Sequence, residues 1–204
     1  MDYKNYIKEE YWDAYIQQRD NLSDRLIEAK YNLLFLKMVY ERSEVYRNND
    51  TTERFEIRFV IRRIYVTVAW ELAIQIKAFT NDDNDCLTVN KFKGNVRNYF
   101  IRDEEKKKCC DSLGAISKTP DWRKCKKLLS NISDYRNKIV GHNFLETPQL
   151  TFSINDAEVI ITQYEKIFNV LNFQDKEYAK RVADLYDEKA SFITAYLDAV
   201  LPLS

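Results

Sequence analysis

Glycine and proline are scarce in this chain, with three of each in 204 residues, where an average globular chain devotes roughly 12 % of its length to the two together. Sandwiches and barrels need a tight turn every few residues, and tight turns are built largely from these two types. The shortage therefore points to long helices with few, polar connections. The length suits one large domain. With 45 % hydrophobic and 14 % aromatic residues, the chain has enough apolar surface to offset its conformational entropy, which argues against disorder. The expectation is a single all-α domain over residues 1–204.

Lys and Arg number 32, and so do Asp and Glu. No global field draws such a chain to nucleic acid or to an anionic membrane, so any polyanion site has to be local. No apolar run approaches the roughly 20 residues that span a bilayer, and the opening stretch MDYKNYIKEEYWD lacks the apolar segment of a signal peptide. The expectation is a cytoplasmic protein with no membrane partner. Cys86, Cys109, Cys110 and Cys125 show no Cys-x-x-Cys spacing, and the one histidine, His142, does not complete a zinc pattern. The reading is reduced thiols, with no metal and no cofactor.

Along the chain, Leu22, Leu26, Ala29, Leu33, Leu36, Tyr40 and Ser43 recur at steps of four and three, which is a helical seam. Asn21 or Ser23 is read as its cap, with a shorter helix (Tyr3, Ile7, Tyr11, Ala14, Gln18) before it. Residues 52–79 carry two apolar stripes, Phe55–Phe59–Val66–Trp70–Ala73 and Ile57–Ile61–Ile64–Val68, so this helix is read as central, with Trp70 in the core. Asn81 to Asp85 then form a loop, after which Thr88 caps a short helix with Val89, Phe92, Val96 and Phe100. The Asp-rich loop is not read as a calcium site: counting from Asp82, Lys93 stands where the EF-hand needs its glutamate. Asp121 is read as the cap of a helix through Leu128, Leu129, Ile132, Tyr135 and Ile139 that Gly141 ends, and Ser153 or Asn155 as the cap of the next. A last helix, about 175–200, presents a wide apolar stripe with Phe192, Ile193, Tyr196, Leu197, Val200 and Leu201, which packs back on the bundle or forms a dimer interface.

The stretch Asp134-Tyr135-Arg136-Asn137-Lys138-Ile139-Val140-Gly141-His142-Asn143 concentrates the groups that can do chemistry. An imidazole titrates near neutral pH and moves protons in either direction, while a guanidinium keeps its charge and matches phosphate oxygens two at a time. The pair suits phosphodiester chemistry without metal. On an uninterrupted helix Arg136 and His142 would lie about 120° apart around the axis and about 9 Å along it. A helix ending at Gly141 lets the imidazole swing back. Residues 121–142 also hold six basic side chains (Arg123, Lys124, Lys126, Lys127, Arg136, Lys138) against Asp121 and Asp134, six minus two giving a local +4. The alternative reading of the same residues is a C-cap histidine, with Arg and Lys complementing the helix dipole and the lysines forming a solvated face.

Arg136-Asn137 followed by His142, with five residues between Arg136 and His142 near the end of a helix, resembles the HEPN superfamily. That superfamily's hallmark is an Arg, a polar residue and a His after four to six intervening positions. The longer stretch resembles the abortive-infection branch, in which a central helix (here Val66 to Phe79, with Trp70 and Glu71) precedes an Asp-rich loop and a short helix opening on Leu87-Thr88; it covers roughly residues 20–172. Gly141 departs from the pattern, since many members carry alanine or another small apolar residue before the histidine.

The resemblance implies a helical bundle of the HEPN type, here with an additional C-terminal helix, which forms a homodimer that brings two copies of the motif into one cleft. It implies a metal-independent endoribonuclease serving as a toxin, neutralised by an antitoxin of nucleotidyltransferase fold; other members are non-catalytic nucleotide-binding or protein-interaction modules. His142 would be the general acid/base, Arg136 would stabilise the phosphate, and Asn137 would orient one or the other. Lys138, Arg123, Lys124 and Lys127 are the RNA-binding candidates, with Arg62-Arg63 and Lys106 to Lys108 as possible extensions; no aromatic platform is evident beside these last groups in the sequence. Glu71 either orients a motif side chain or pairs with a lysine.

Overall fold

The computed structural model describes residues 3–48, 54–80, 87–141, 152–173 and 175–201; the side chains at 47, 48, 54–56, 133, 135–141 and 185 fall outside the description. The fold is all-α, and among the described residues the one β contact is an isolated bridge between Ile7 and Ile101. Two short 3₁₀ turns, Tyr3–Asn5 and Glu9–Tyr11, lead into α1 (Trp12–Asn48). There follow α2 (Arg54–Thr80), α3 (Val89–Asn95) with a π turn at Val96–Phe100, α4 (Asp103–Ser117), α5 (Pro120–Gly141), α6 (Ile154–Leu171) and α7 (Lys176–Val200).

Side-chain pairs fix the helix directions. Arg25 near the start of α1 donates to Ala78 O near the end of α2, while Val39 and Ile61 share an apolar cluster, so the two helices are antiparallel. Tyr15 Oη donates to Leu171 O, and Lys30 and Lys37 pair with Glu165 and Glu158, making α6 antiparallel to α1 as well. Arg181 pairs with Asp24 and Arg42 with Asp198, so α7 runs parallel to α1. The main core fills the space between α1, α2 and α6 with Leu22, Leu36, Leu72, Ile76, Phe79 and Phe168, all fully buried.

The seam of α1 is buried from Leu22 to Leu36 as its spacing predicts, but beyond it Val39 is buried and Tyr40 exposed, and the helix is not two. Asn21 and Ser23 lie inside one 37-residue helix, because no glycine or proline interrupts 12–48; Ser23 is buried and its Oγ accepts from Arg181. Helix also fails to reach back to Tyr3. Lys8 N–H donates to Phe100 O and Arg102 N–H to Tyr6 O, so the end of the π turn and the residues just after it satisfy this backbone instead.

Caps explain the other starts. Thr88 Oγ1 accepts from Lys91 N–H, and Ser153 with Asp156 forms a reciprocal capping box. At α5 the cap is Thr119, whose Oγ1 accepts from Trp122 N–H, with Pro120 as first helical residue. Asp121 sits one residue inside, where its charge complements the helix dipole. The wide stripe of α7 divides. Ile193, Leu197 and Leu201 are buried with Val39 and Ile61, whereas Phe192 (63 %), Tyr196 (41 %) and Val200 (40 %) stay exposed.

Candidate functional site

α5 carries most of the residues singled out by sequence. Trp122, Cys125 and Ile132 are buried and Leu129 is half-buried; at about 100° per residue these four positions and position 136 fall within an arc of about 80°. Arg123, Lys124 and Lys127 are exposed, and their positions, with 138, lie on the roughly opposite side of the helix. By backbone register, then, position 136 shares the inward face of α5 and the basic candidates share the outward one. α5 is described as far as Gly141, and the residues that follow it, 142–151, lie outside the description. The side chains of Arg136, Asn137, Lys138 and Tyr135, and all of His142, lie outside the described residues, as do Asp82, Asp83 and Asp85.

Beside the inward face of α5 is a cavity of about 740 Å³. α2 contributes Thr80; α3 and the π turn contribute Asn90, Lys93 and Arg97. α4 supplies Cys110, Leu113, Gly114 and Ser117; α5 supplies Trp122, Lys126 and Leu129; α6 supplies Tyr164 and Ile167. Local structure accounts for the arrangement. Asn90, Lys93 and Arg97 are spaced three and four apart and so share a face. The face of α4 that carries Cys110, Leu113, Gly114 and Ser117 repeats the same spacing. Lys126 Nζ lies 5.9 Å from the centre of the Trp122 ring, which itself packs 5.4 Å from Tyr164. Arg25 of α1 ties the end of α2 to the start of the next element, donating to Ala78 O (3.1 Å) and Leu87 O (2.8 Å) on either side of the 81–86 connection.

Among the described residues, the lining of this cavity holds three cations and no carboxylate. Lys126 is the one lining residue that the local charge count of α5 includes. Lys93 and Arg97 were missed, although their spacing with Asn90 is visible, because nothing local says that this face meets α5.

A second groove, of about 580 Å³, lies between α1 and α2. Arg58 and Arg62 line it together with Tyr40, Tyr46 and Tyr65. Arg62 thus does have aromatic rings beside it, contrary to the sequence reading. Two of the tyrosines come from α1, some 20 residues earlier in the chain, where a search of neighbouring sequence does not reach.

Cys109 and Cys125 are buried, and burial pushes their thiols up to about 11 and about 12. They are protonated at neutral pH and poor nucleophiles. Among the described residues no group of histidine, cysteine or acidic side chains could hold a metal, and no helix is long and apolar enough to cross a membrane. Glu71 is exposed, Trp70 packs partly buried against the core, and Lys106, Lys107 and Lys108 are exposed on α4. No family model, curated protein or solved structure matches the chain.

Proposed function

We propose that the protein is a metal-independent endoribonuclease of the HEPN toxin or abortive-infection type, working as a homodimer in the cytoplasm and restrained by an antitoxin of nucleotidyltransferase fold. The observation that carries this reading is the Arg136-Asn137 pair on the last described turns of α5 (Pro120–Gly141), with the chain's one histidine, His142, five positions beyond Asn137, in an all-α fold. An imidazole takes the proton of an RNA 2′-hydroxyl, whose oxygen bonds to phosphorus as the bond to the 5′-oxygen breaks; an imidazolium returns a proton to that leaving oxygen. The products are a 2′,3′-cyclic phosphate and a 5′-hydroxyl. Arg136 balances the charge that develops on the phosphate, and Asn137 orients phosphate or imidazole. The groove of Arg58, Arg62 and three tyrosines supports an RNA substrate, since cations with aromatic faces bind single strands. Arg123, Lys124, Lys127 and Lys138 add a further basic face.

A second reading is a non-catalytic interaction module. The exposed Phe59, Phe192, Tyr196 and Val200 supply apolar side chains such a module would use, because exposed apolar side chains are a common feature of protein-binding surfaces. Incubating total RNA with the purified protein in EDTA, beside His142→Ala and Arg136→Ala, separates the two. The enzyme predicts cleavage by the native protein and losses of roughly 10²-fold or more in each variant. Intact RNA in every lane, from a folded protein, leaves the interaction module.

A further inference from the structure

We infer that the cavity between α3, α4 and α5 is a binding site for the phosphomonoester of a nucleotide, separate from the Arg136–His142 motif and independent of cleavage. Three observations converge on it.

The first is charge. Lys93, Arg97 and Lys126 line one cavity without a carboxylate among the described residues. A diester carries one negative charge, whereas a phosphomonoester carries nearly two at pH 7 and three strong acceptor oxygens, and so matches this set better. Arg97 offers a planar fork for two of those oxygens, and the lysines offer point charges. Both Arg97 and Lys126 are exposed at the rim, within reach of an entering ligand.

The second is size and lining. About 740 Å³ lies in the range of pockets for small organic ligands, roughly 300–1,000 Å³, and is far more than one phosphate group fills. Beyond the cations, Thr80, Asn90 and Ser117 bring hydroxyl and amide groups suited to a ribose, while Leu113, Leu129 and Ile167 form an apolar wall. A nucleotide has this division of charge, hydroxyls and flat apolar surface.

The third is Gly114. It occupies the interior of α4, where glycine costs about 1 kcal/mol relative to alanine. A Cβ built there meets nothing within 4 Å, so no packed neighbour requires the missing side chain. Gly114 lines the cavity, so a larger side chain at this position has room to enter it.

Two sources carry this chemistry, a free mononucleotide and the phosphorylated end of an RNA strand, and the test separates them. In a His142→Ala background, which removes turnover, binding is measured for adenosine 5′-monophosphate and for a short RNA with either a 5′-phosphate or a 5′-hydroxyl. Arg97→Gln, Lys126→Gln and the plugging variant Gly114→Leu are compared with Lys189→Gln, an exposed charge control on α7, with thermal melts to confirm folding. The site predicts about tenfold weaker binding in each of the first three and none in the control. Tight binding of the mononucleotide identifies the free nucleotide as ligand; a phosphorylated RNA that binds tenfold tighter than both its hydroxyl counterpart and the mononucleotide identifies the RNA end. Binding that ignores the phosphomonoester, or that folded Arg97, Lys126 and Gly114 variants leave unchanged, overturns the inference, and so does failure of all three probes to bind.

Discussion

Replacing Gly114 with alanine tests the open cavity without any ligand. In the middle of a helix alanine is favoured over glycine by about 1 kcal/mol, mostly because glycine loses more backbone freedom on folding. The gain survives only where the added methyl has room, and at Gly114 nothing approaches its position within 4 Å. The variant is therefore expected to be more stable by about 0.5–1 kcal/mol. For a domain of this size that raises the melting temperature by roughly 1–4 °C, which circular dichroism resolves when native and variant proteins are melted side by side. Gly94→Ala, equally open in α3, serves as a companion. A loss of 1 kcal/mol or more at Gly114, with a gain at Gly94, would mean that α4 lies tight against its neighbours and that the cavity is not there.

Further expectations concern the core. Tyr15 is fully buried and its hydroxyl donates to Leu171 O at 3.1 Å; Tyr15→Phe leaves that carbonyl unpaired and should cost roughly 1–3 kcal/mol in urea unfolding, while no change would show that water replaces the hydroxyl. Burial raises the thiols of Cys109 and Cys125 to about 11 and about 12. Above pH 9 the unfolded chain loses these protons and the folded chain does not, so stability should hold up to about pH 8.5 and fall from there toward pH 12. Cys125→Ala should flatten that decline; an unchanged slope would remove the thiol from the account. Charge reversal in the α1–α2 groove, Arg62→Glu, should weaken binding of single-stranded RNA about tenfold or more at moderate salt with the melting temperature unchanged, and equal binding would take the groove out of the RNA path.

Helix periodicity is a local property, which is why the seam of α1 from Leu22 to Leu36 and the caps Thr88 and Ser153 could be read from the sequence. Boundaries failed where a distant segment supplied the partner. Helix from Tyr3 looked continuous until Lys8 and Arg102 were seen to share hydrogen bonds with the backbone across the Ile7–Ile101 bridge. Asp121 was a good cap by type, yet Thr119 two residues earlier, followed by Pro120, has the better geometry. The stripe of α7 is apolar on both flanks, and only the presence of Val39 and Ile61 decides that Ile193 and Leu197 turn inward.

The same division holds for the sites. The motif of Arg136, Asn137 and His142 is contiguous and so could be recognised, but the cationic cavity is assembled from five helices and the π turn. Its two cations on α3 and the π turn and its glycine on α4 carry no mark of each other in the sequence. Counting the charges of α5 placed the basic patch on one helix, whereas the fold turns Arg123, Lys124 and Lys127 outward and brings Lys126 to two cations from elsewhere.

The most direct measurement is the chemistry of the cut ends. A short labelled RNA is digested in EDTA by the native protein and by His142→Ala, and the 5′ fragment is examined by mass spectrometry. Attack by the 2′-hydroxyl predicts a 2′,3′-cyclic phosphate on that fragment, a 5′-hydroxyl on the other, no cleavage when the scissile nucleotide is 2′-deoxy, and loss of the products in the variant. Fragments ending in a 3′-hydroxyl, cleavage of the deoxy substrate, or full activity without His142 would contradict the proposed reaction.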